Sequence, residues 1–421
     1  VGRLSDRKER AAVTIANLQP QELPSDATAQ SAARPRDPVA ERWQRIGASA
    51  EQRAALEEPG GLWAAERFAR NIENFIGTVK VPVGVAGPLR VHGSSACGDY
   101  VLPLATTEAA LVASYHRGAR LITQAGGCSA RVLAEGVSRA PGFAFHTLAD
   151  AARFARWVET HSDVLAEAAA RTTLHGRLSE VRATVEGNHV YVNLEFQTGD
   201  AAGQNMATIA TAAVVLAVAQ HAPVKYDACF LEANHSGDKK ASAQAFSRVR
   251  GKRVSAEVRV PRALLAQRLH TTPERMSEYW RMAAIGGVLS GTIGVQGHFA
   301  NGLAALYIAC GQDAACVAES AVGVTRLEIT PEGDLYAAVT LPGVIVGTVG
   351  GGTGLPSQQA CLEILRRCGR ADARALAELC AALALAGELS LIGALCSGDF
   401  ARAHAARARG LRLARQEPSH A

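Results

Sequence analysis

One order of periodicities constrains this chain more than any other feature. Between residues 141 and 231 the apolar pattern switches between period two and period 3.6 in a set sequence. "FAFHT" reads as a strand, and "LADAARFARWVETH" and "DVLAEAAART" read as helices. "LSEVRATVEG" and "NHVYVNLEFQTG" alternate on either side of a Gly-Asn turn and read as a hairpin. "GQNMATIATAAVVLAVAQHA" reads as a long apolar helix and "KYDACFLEA" as a closing strand. The order β-α-β-β-α-β is a split βαβ unit, complete within this segment. It predicts a small domain inserted into a larger one that resumes near Asn234.

The flanks are less regular. Residues 1–48 are rich in Ala, Pro, Gln, Ser and charge, and read as a flexible lead-in. "VAERWQRI", "AEQRAALEE" and "GLWAAERFARNIENF" have the spacing of short amphipathic helices. "VKVPVGVAGPLRVHG" alternates between Gly and Pro punctuation, as strands and turns do. Further on, "YWRMAAIGGVLSG", "GLAALYIAC" and "ALAELCAALALAGELSLIGALCSG" read as helices whose Ala and Gly faces suit close packing. The expected fold class is α+β. A large, mainly helical α/β domain takes residues 49–140 and 231–398, the small domain 141–230, and a basic helical C-terminal flap 399–421.

Composition narrows the function classes. The 421 residues are 48% hydrophobic and 20% charged, enough to bury a large core. A net charge of +5 is too small to argue for nucleic acid and suits anionic small ligands. The nine cysteines show no C-x-x-C and no Cys/His ligand spacing. Free thiols in a reducing compartment, and no metal, are therefore expected. No signal-peptide pattern occurs, and the apolar run at 206–219 is too short to span a bilayer. A cytoplasmic protein without a membrane partner is the expectation.

Six short stretches carry candidate chemistry. "GTVGGGTGLP" (347–356) has the glycines that let backbone amides approach an anion, but fits neither the P-loop nor the dinucleotide fingerprint. Alone, ligand loop and plain turn are equal readings. "TGDAAGQNM" (198–206) lies at a strand-to-helix junction, where amides attract phosphate and Asp200 alone reads as a cap. "PLATTEAALVAS" (103–114) puts Glu108 in the first turn of an apolar helix, as a dipole partner or, if buried, a proton donor. "ACGQDAAC" (309–316) presents Asp313 as a cap or as the partner of a lysine. "GDKK" (237–240) sets Lys239 beside Lys240 in a polar loop. His404, among Arg402, Arg407 and Arg409, reads as a surface histidine on a basic helix.

Together these stretches fall in a known order. "ENFIG…PVGVAGPL", "LATTEAALVAS", "GDAAGQNM", "GDKK", "ACGQDAA", "GTVGGGTGLPSQQACL" and "AGELSL" resemble class I 3-hydroxy-3-methylglutaryl-CoA (HMG-CoA) reductases, over about residues 60–410. The resemblance implies a large domain carrying an inserted ferredoxin-like domain. It implies a homodimer or higher homo-oligomer, with active sites at the subunit interface. It also implies reduction of the HMG-CoA thioester to mevalonate by two hydrides from NADPH or NADH, through a hemithioacetal and an aldehyde, with release of CoA. Such chemistry needs a cation at the carbonyl oxygen, an acid to protonate that oxygen and a proton donor for the departing thiolate.

By this resemblance Lys239 polarises the carbonyl, and Glu108 donates the proton. Asp313 sits between them and tunes both, with Asn301 in the same cluster. His404 protonates the CoA thiolate from the flap, and Arg139 and Lys240 hold the substrate carboxylate. Asp200, Asn205, Gly350, Gly351, Gly352 and Thr353 hold the cofactor.

The departures fall in two places. Where the family has a substrate-binding Ser in Ser-Gly-Asn, this chain reads Glu232-Ala233-Asn234, and further acyl-pocket changes occur at Ala109, Ala202 and Ala245. Where the family carries an Arg for the NADPH 2′-phosphate, this chain has Leu174, which offers neither charge nor hydrogen bond. A weakened preference for NADPH follows unless His175 or Arg177 compensates. Two alternatives stand beside HMG-CoA reduction. One is the same reaction on another acyl-CoA or carrier-bound thioester. The other is an inactive CoA- or nucleotide-binding homologue.

Overall fold

A computed structural model of the chain describes residues 38–57 and 62–399. It opens with three short helices, α1 (Pro38–Ile46), α2 (Ala50–Leu56) and α3 (Leu62–Phe68). The strands β1 (Val83–Gly93) and β2 (Cys97–Ala105), the helix α4 (Leu111–Gln124) and the strand β3 (Cys128–Arg139) follow. Next come β4 (Gly142–Ala144), α5 (Leu148–Thr160), α6 (Ser162–Ala170), β5 (Arg177–Glu186), β6 (His189–Gln197), α7 (Gln204–His221) and β7 (Ala228–Phe230). After these run β8 (Gly251–Val260), α8 (Arg262–Leu269), α9 (Pro273–Ser290), β9 (Gly294–Val295), α10 (Phe299–Ala309) and α11 (Val317–Ser320). The last elements are β10 (Gly323–Ile329), β11 (Leu335–Val344), α12 (Pro356–Cys368) and α13 (Ala373–Ser397). Two compact units result. The smaller takes residues 38–80, 138–197 and 204–236, and the larger 81–137, 198–203 and 237–399.

In the smaller unit the strand order is β7-β4-β6-β5, antiparallel throughout. This is the ferredoxin-like order, and its cause is visible in β6. Val190, Val192, Leu194 and Phe196 alternate onto the buried face. Along α7, Ala207, Ala210, Val214 and Val218 are likewise buried. Composition predicts a flexible lead-in through residue 48, yet Pro38–Ile46 is helical. Val39 and Trp43, one helical turn apart, are buried with Phe75, and the Trp43 indole N–H donates to the Ile76 carbonyl at 3.0 Å. Helix α3 stops at Phe68, so "GLWAAERFARNIENF" is helical only in part.

The larger unit is built on a sheet of order β2-β1-β3-β8-β11-β10-β9. The β1–β3 and β9–β10 pairs are parallel and the rest antiparallel. In β8, Val254, Ala256, Val258 and Val260 are buried and alternate with Ser255, Glu257 and Arg259. Helix α13 packs on this sheet. It begins at Asp372, whose side chain accepts from the Ala375 N–H, and ends at Gly398 with a left-handed φ of 73°. Its length and apolarity would suit a membrane span, but 83% of its most apolar window is buried within the fold. Helix α4 crosses it so closely that a Cβ on Gly118 would lie 1.9 Å from the Ala386 carbonyl oxygen. The fold is mixed α/β.

Candidate active site

Lys239 follows Asp238 in the polar loop after β7. Its φ of 55° is left-handed, which costs a side-chain-bearing residue about 1–2 kcal/mol. Something must hold it there. Its backbone N–H donates to Glu319 Oε1 at 3.2 Å, and its ammonium Nζ lies 2.7 Å from Asp313 Oδ2. Asp313 also caps the short 3₁₀ turn Ala314–Cys316, accepting from the Ala315 N–H at 3.0 Å. The capping and lysine-partner readings of Asp313 are therefore both met. The hydrogen bond to Asp313 raises the Lys239 pKa, against some desolvation. Burial pushes the Asp313 carboxyl up, but the hydrogen bonds from Lys239 and Ala315 prevail and hold it below its ordinary value. Both partners thus stay charged from the ordinary carboxylate range up through the ordinary lysine range. Lys240 is exposed and donates to the Asp238 carbonyl at 2.9 Å.

Beneath this loop lies a group that the motifs do not reveal. Arg250 donates through Nη2 to Asp238 Oδ1 and through Nε to Glu319 Oε2. The Arg250 and Glu319 side chains are 7% and 5% exposed. Burial pushes the Glu319 carboxyl above its ordinary range, with Arg250 opposing. The partners of Arg250 stand 12 and 69 residues away in sequence, so no local pattern marks the group.

Glu108 does not lie in the first helical turn. Helix α4 starts at Leu111 after Ala110, whose φ is 70°, and Glu108 sits in the turn before it. That turn is tied by the Glu108 N–H donating to Thr106 Oγ1 at 3.0 Å. Glu108 is exposed, and Asn301 Nδ2 donates to its Oε1 at 3.4 Å. Asn301 stands in the first turn of α10, whereas Asp313 lies beyond its C-terminal end at Ala309. Helix rise alone separates Asn301 from Ala309 by roughly 12 Å. The chain therefore presents two pairs, Lys239–Asp313 and Glu108–Asn301, towards opposite ends of one helix.

The glycine loop has an inner and an outer side. Inside, a Cβ on Gly347 would lie 2.4 Å from the Ala202 nitrogen, and one on Gly311 would lie 2.4 Å from the Gly352 oxygen. Outside, Gly350 and Gly351 have φ of 74° and 55°, and Cβ atoms there would enter open space. Such a cradle leaves room for a phosphate to reach backbone amides. Thr353 Oγ1 donates to the Gly350 carbonyl at 2.7 Å. Asp200 caps no α7 turn; its Oδ1 accepts from the Ala373 N–H of α13 at 3.1 Å.

The remaining predicted residues belong to the smaller unit. Arg139 is buried, with Nε donating to Thr208 Oγ1 at 2.9 Å and Nη2 to the Gln204 carbonyl at 3.4 Å. Glu232 Oε2 accepts from the Ala140 N–H at 3.2 Å, and its buried Oε1 has no hydrogen-bond partner among the described residues. Asn205 is exposed in the first turn of α7, and Leu174 is 98% exposed. Arg177 Nη2 donates to Gln197 Oε1 at 3.1 Å. His404 and most of the expected flap lie outside the described residues, as do residues 1–37. All nine cysteines are free thiols. Among the described residues no group of three or more His, Cys, Asp or Glu is placed to hold a metal ion.

Comparison with known proteins identifies the family. The family model described as hydroxymethylglutaryl-coenzyme A reductase matches residues 38–409. The 3-hydroxy-3-methylglutaryl-coenzyme A reductase of Pyrococcus horikoshii is 44% identical over 348 residues, covering 80% of this chain and 84% of the relative. The enzyme of the same name from Haloferax volcanii is 42% identical over 396 residues, covering 92% and 96%. Among solved structures, the class II reductase of Streptococcus pneumoniae bound to NADPH shares the fold at a TM-score of 0.64. It is 20% identical and covers 85% of this chain and 96% of that one. With a family match across most of its length and relatives above 40% identity, this chain belongs to the hydroxymethylglutaryl-coenzyme A reductase family.

Proposed function

We propose that the chain is an NAD(P)H-dependent HMG-CoA reductase of class I, acting in the cytoplasm and converting HMG-CoA to mevalonate and CoA. The observation that carries this reading is the Lys239–Asp313 pair at 2.7 Å, on the loop whose motif the family uses for its catalytic lysine. Lys239 stays cationic because Asp313 raises its pKa, so it can hold the oxyanion as the carbonyl is reduced. Glu108, oriented by Asn301, supplies the proton to that oxygen. His404 protonates the leaving thiolate, and Arg139 and Lys240 bind the substrate carboxylate. Gly350, Gly351, Gly352 and Thr353 line the cradle for the cofactor's phosphates, with Asp200, Asn205 and Leu174 given to the same role by resemblance. Each reduced nicotinamide, when bound, would supply one hydride, so two cofactor molecules would be used in turn.

The same residues support a homodimer. Glu108–Asn301 and Lys239–Asp313 stand apart along α10, so a site needing all four takes one pair from each of two subunits. Helix α9 supports this with an unpartnered apolar face. Met282, Ile285, Val288 and Leu289 are 72%, 63%, 74% and 83% exposed.

The test is nicotinamide oxidation with HMG-CoA, run separately with NADH and NADPH, while CoA and mevalonate are quantified. The expected result is two cofactor molecules consumed per CoA released. Leu174 predicts kcat/KM values for the two cofactors within about tenfold of each other, since one charged phosphate contact is missing. A strong NADPH preference would refute that part. No turnover from a folded oligomer would refute the substrate assignment.

Glu232 motivates a second reading, in which another acyl thioester is the substrate. Its carboxylate occupies the position of the family's substrate-binding Ser and, among the described residues, engages only a backbone N–H. On this reading Glu232→Ser raises kcat/KM for HMG-CoA by about tenfold, by removing a like charge. Unchanged turnover would leave the acyl-pocket argument without support.

A further inference from the structure

The catalytic lysine is held by its backbone as well as by its side chain. Lys239 adopts a left-handed φ of 55°, and its N–H donates to Glu319 Oε1 at 3.2 Å. Arg250 joins this acceptor to the preceding residue, donating to both Glu319 and Asp238. Asp238 and Lys239 are adjacent, so one guanidinium grips the chain on both sides of the peptide that carries the lysine. The grip is buried, with Arg250 and Glu319 side chains 7% and 5% exposed. The lysine itself is 42% exposed and reaches outward to Asp313.

We infer that Arg250 and Glu319 are positioning residues for the reduction, fixing the Lys239 backbone so that its ammonium is presented beside Asp313. This role rests on the proposed function for its kinetic consequence, but not for its geometry. Neither residue is accessible enough to touch an acyl group, so each acts through Lys239. Arg is required over Lys because its planar fork reaches two carboxylates at once, whereas an ammonium is a single point charge. Neutralising either member frees the loop to leave the left-handed conformation, and Lys239 then swings away from Asp313.

The experiment compares Arg250→Met, Arg250→Lys and Glu319→Gln in the full-length protein with two readouts. The first is kcat and KM with HMG-CoA. Arg250→Met is expected to lower kcat by about 30-fold with KM changed less than about threefold, since displacement by about 1 Å costs on this scale. Arg250→Lys recovers part of the loss, and Glu319→Gln falls between. The second readout is the rate at which acetic anhydride labels Lys239 in the substrate-free protein, followed by mass spectrometry. Exposed Lys225 in the smaller unit serves as internal reference. Loss of the clamp is expected to raise the Lys239/Lys225 labelling ratio about fivefold, as the ammonium leaves its carboxylate. General unfolding would also raise this ratio, because exposed Lys225 already labels freely, so the ratio is read only in variants whose melting curve shows them folded.

A Lys239/Lys225 ratio unchanged from wild type in folded Arg250→Met would overturn the inference, whatever the turnover. If that variant does not fold, Glu319→Gln carries the same test, because it keeps the shape and the acceptor for the Lys239 N–H. Failure of wild-type turnover would instead overturn the functional reading, and the labelling ratio still decides the clamp.

Discussion

Lys239→Met is expected to lower kcat by about 10³-fold while leaving the fold and KM nearly intact. Three observations combine in this expectation. The ammonium is the cation of the Lys239–Asp313 pair, and the hydrogen bond it donates to Asp313 keeps it charged. Removing it takes away the group that holds negative charge on the reacting oxygen. The pair is more than 40% exposed on both sides, so as a surface ion pair it contributes only about 0–1 kcal/mol to stability. Met keeps the bulk and retains the backbone bond to Glu319. Lys240→Met makes the contrast. Among the described residues its ammonium reaches only the Asp238 carbonyl, so its loss should appear mainly in KM. Steady-state kinetics alongside thermal melting measures both. A Lys239→Met protein that melts as wild type and retains a tenth of its turnover would remove Lys239 from the chemistry.

The sequence told more about the smaller unit than the larger for a physical reason. Its β5–β6 pair closes across a short turn at Gly187 and Asn188, and β4 pairs with β6 and β7 across helices whose own periodicity marks the split βαβ order. In the larger unit β3 pairs with β8, Ser129 opposite Glu257, across more than a hundred residues. No local turn announces such a pairing. The alternation in β8 was a usable signal all the same, because Val254, Ala256, Val258 and Val260 mark one buried face. The site divides in the same way. Motif order named Lys239, Asp313, Glu108 and Asn301, but motifs carry no distances, and the separation along α10 needed coordinates. Arg250 and Glu319 were invisible for the reason that β3–β8 was, since their partnership spans 69 residues. A carboxylate in an apolar helix reads as an exposed stripe until its partners are known, and both Glu378 and Glu388 of α13 are buried.

Glu378 gives the larger stability prediction: Glu378→Ala should cost about 3 kcal/mol and lower Tm by about 5 °C. Its side chain is fully buried in α13 and faces the turn between β1 and β2. It accepts from the backbone N–H groups of Ser94, Ser95 and Ala96 at 3.2, 2.9 and 2.7 Å, and from the Ser94 hydroxyl. Gly93 is glycine because a Cβ there would lie 2.1 Å from Glu378 Oε2. The carboxylate thus closes a backbone nest, with no cation paired to it among the described residues. Truncation strands its donors unequally. Ser94 is exposed, so water can take its N–H and hydroxyl, whereas Ala96 is fully buried and Ser95 partly so. Most of the loss therefore comes from those two N–H groups and the cavity left beside them. Glu378→Gln keeps the shape but turns one acceptor into a donor facing N–H groups, and about half the loss should follow. Ser94→Ala should change little. Melting curves of the three variants order these terms. A Glu378→Ala protein within about 1 °C of wild type would mean that water fills the nest. The consequence reaches the site by chain connectivity, because β2 runs from this turn to Ala105, three residues before Glu108. A loosened hairpin should therefore weaken the Glu108–Asn301 pair while sparing Lys239–Asp313, which β2 does not carry.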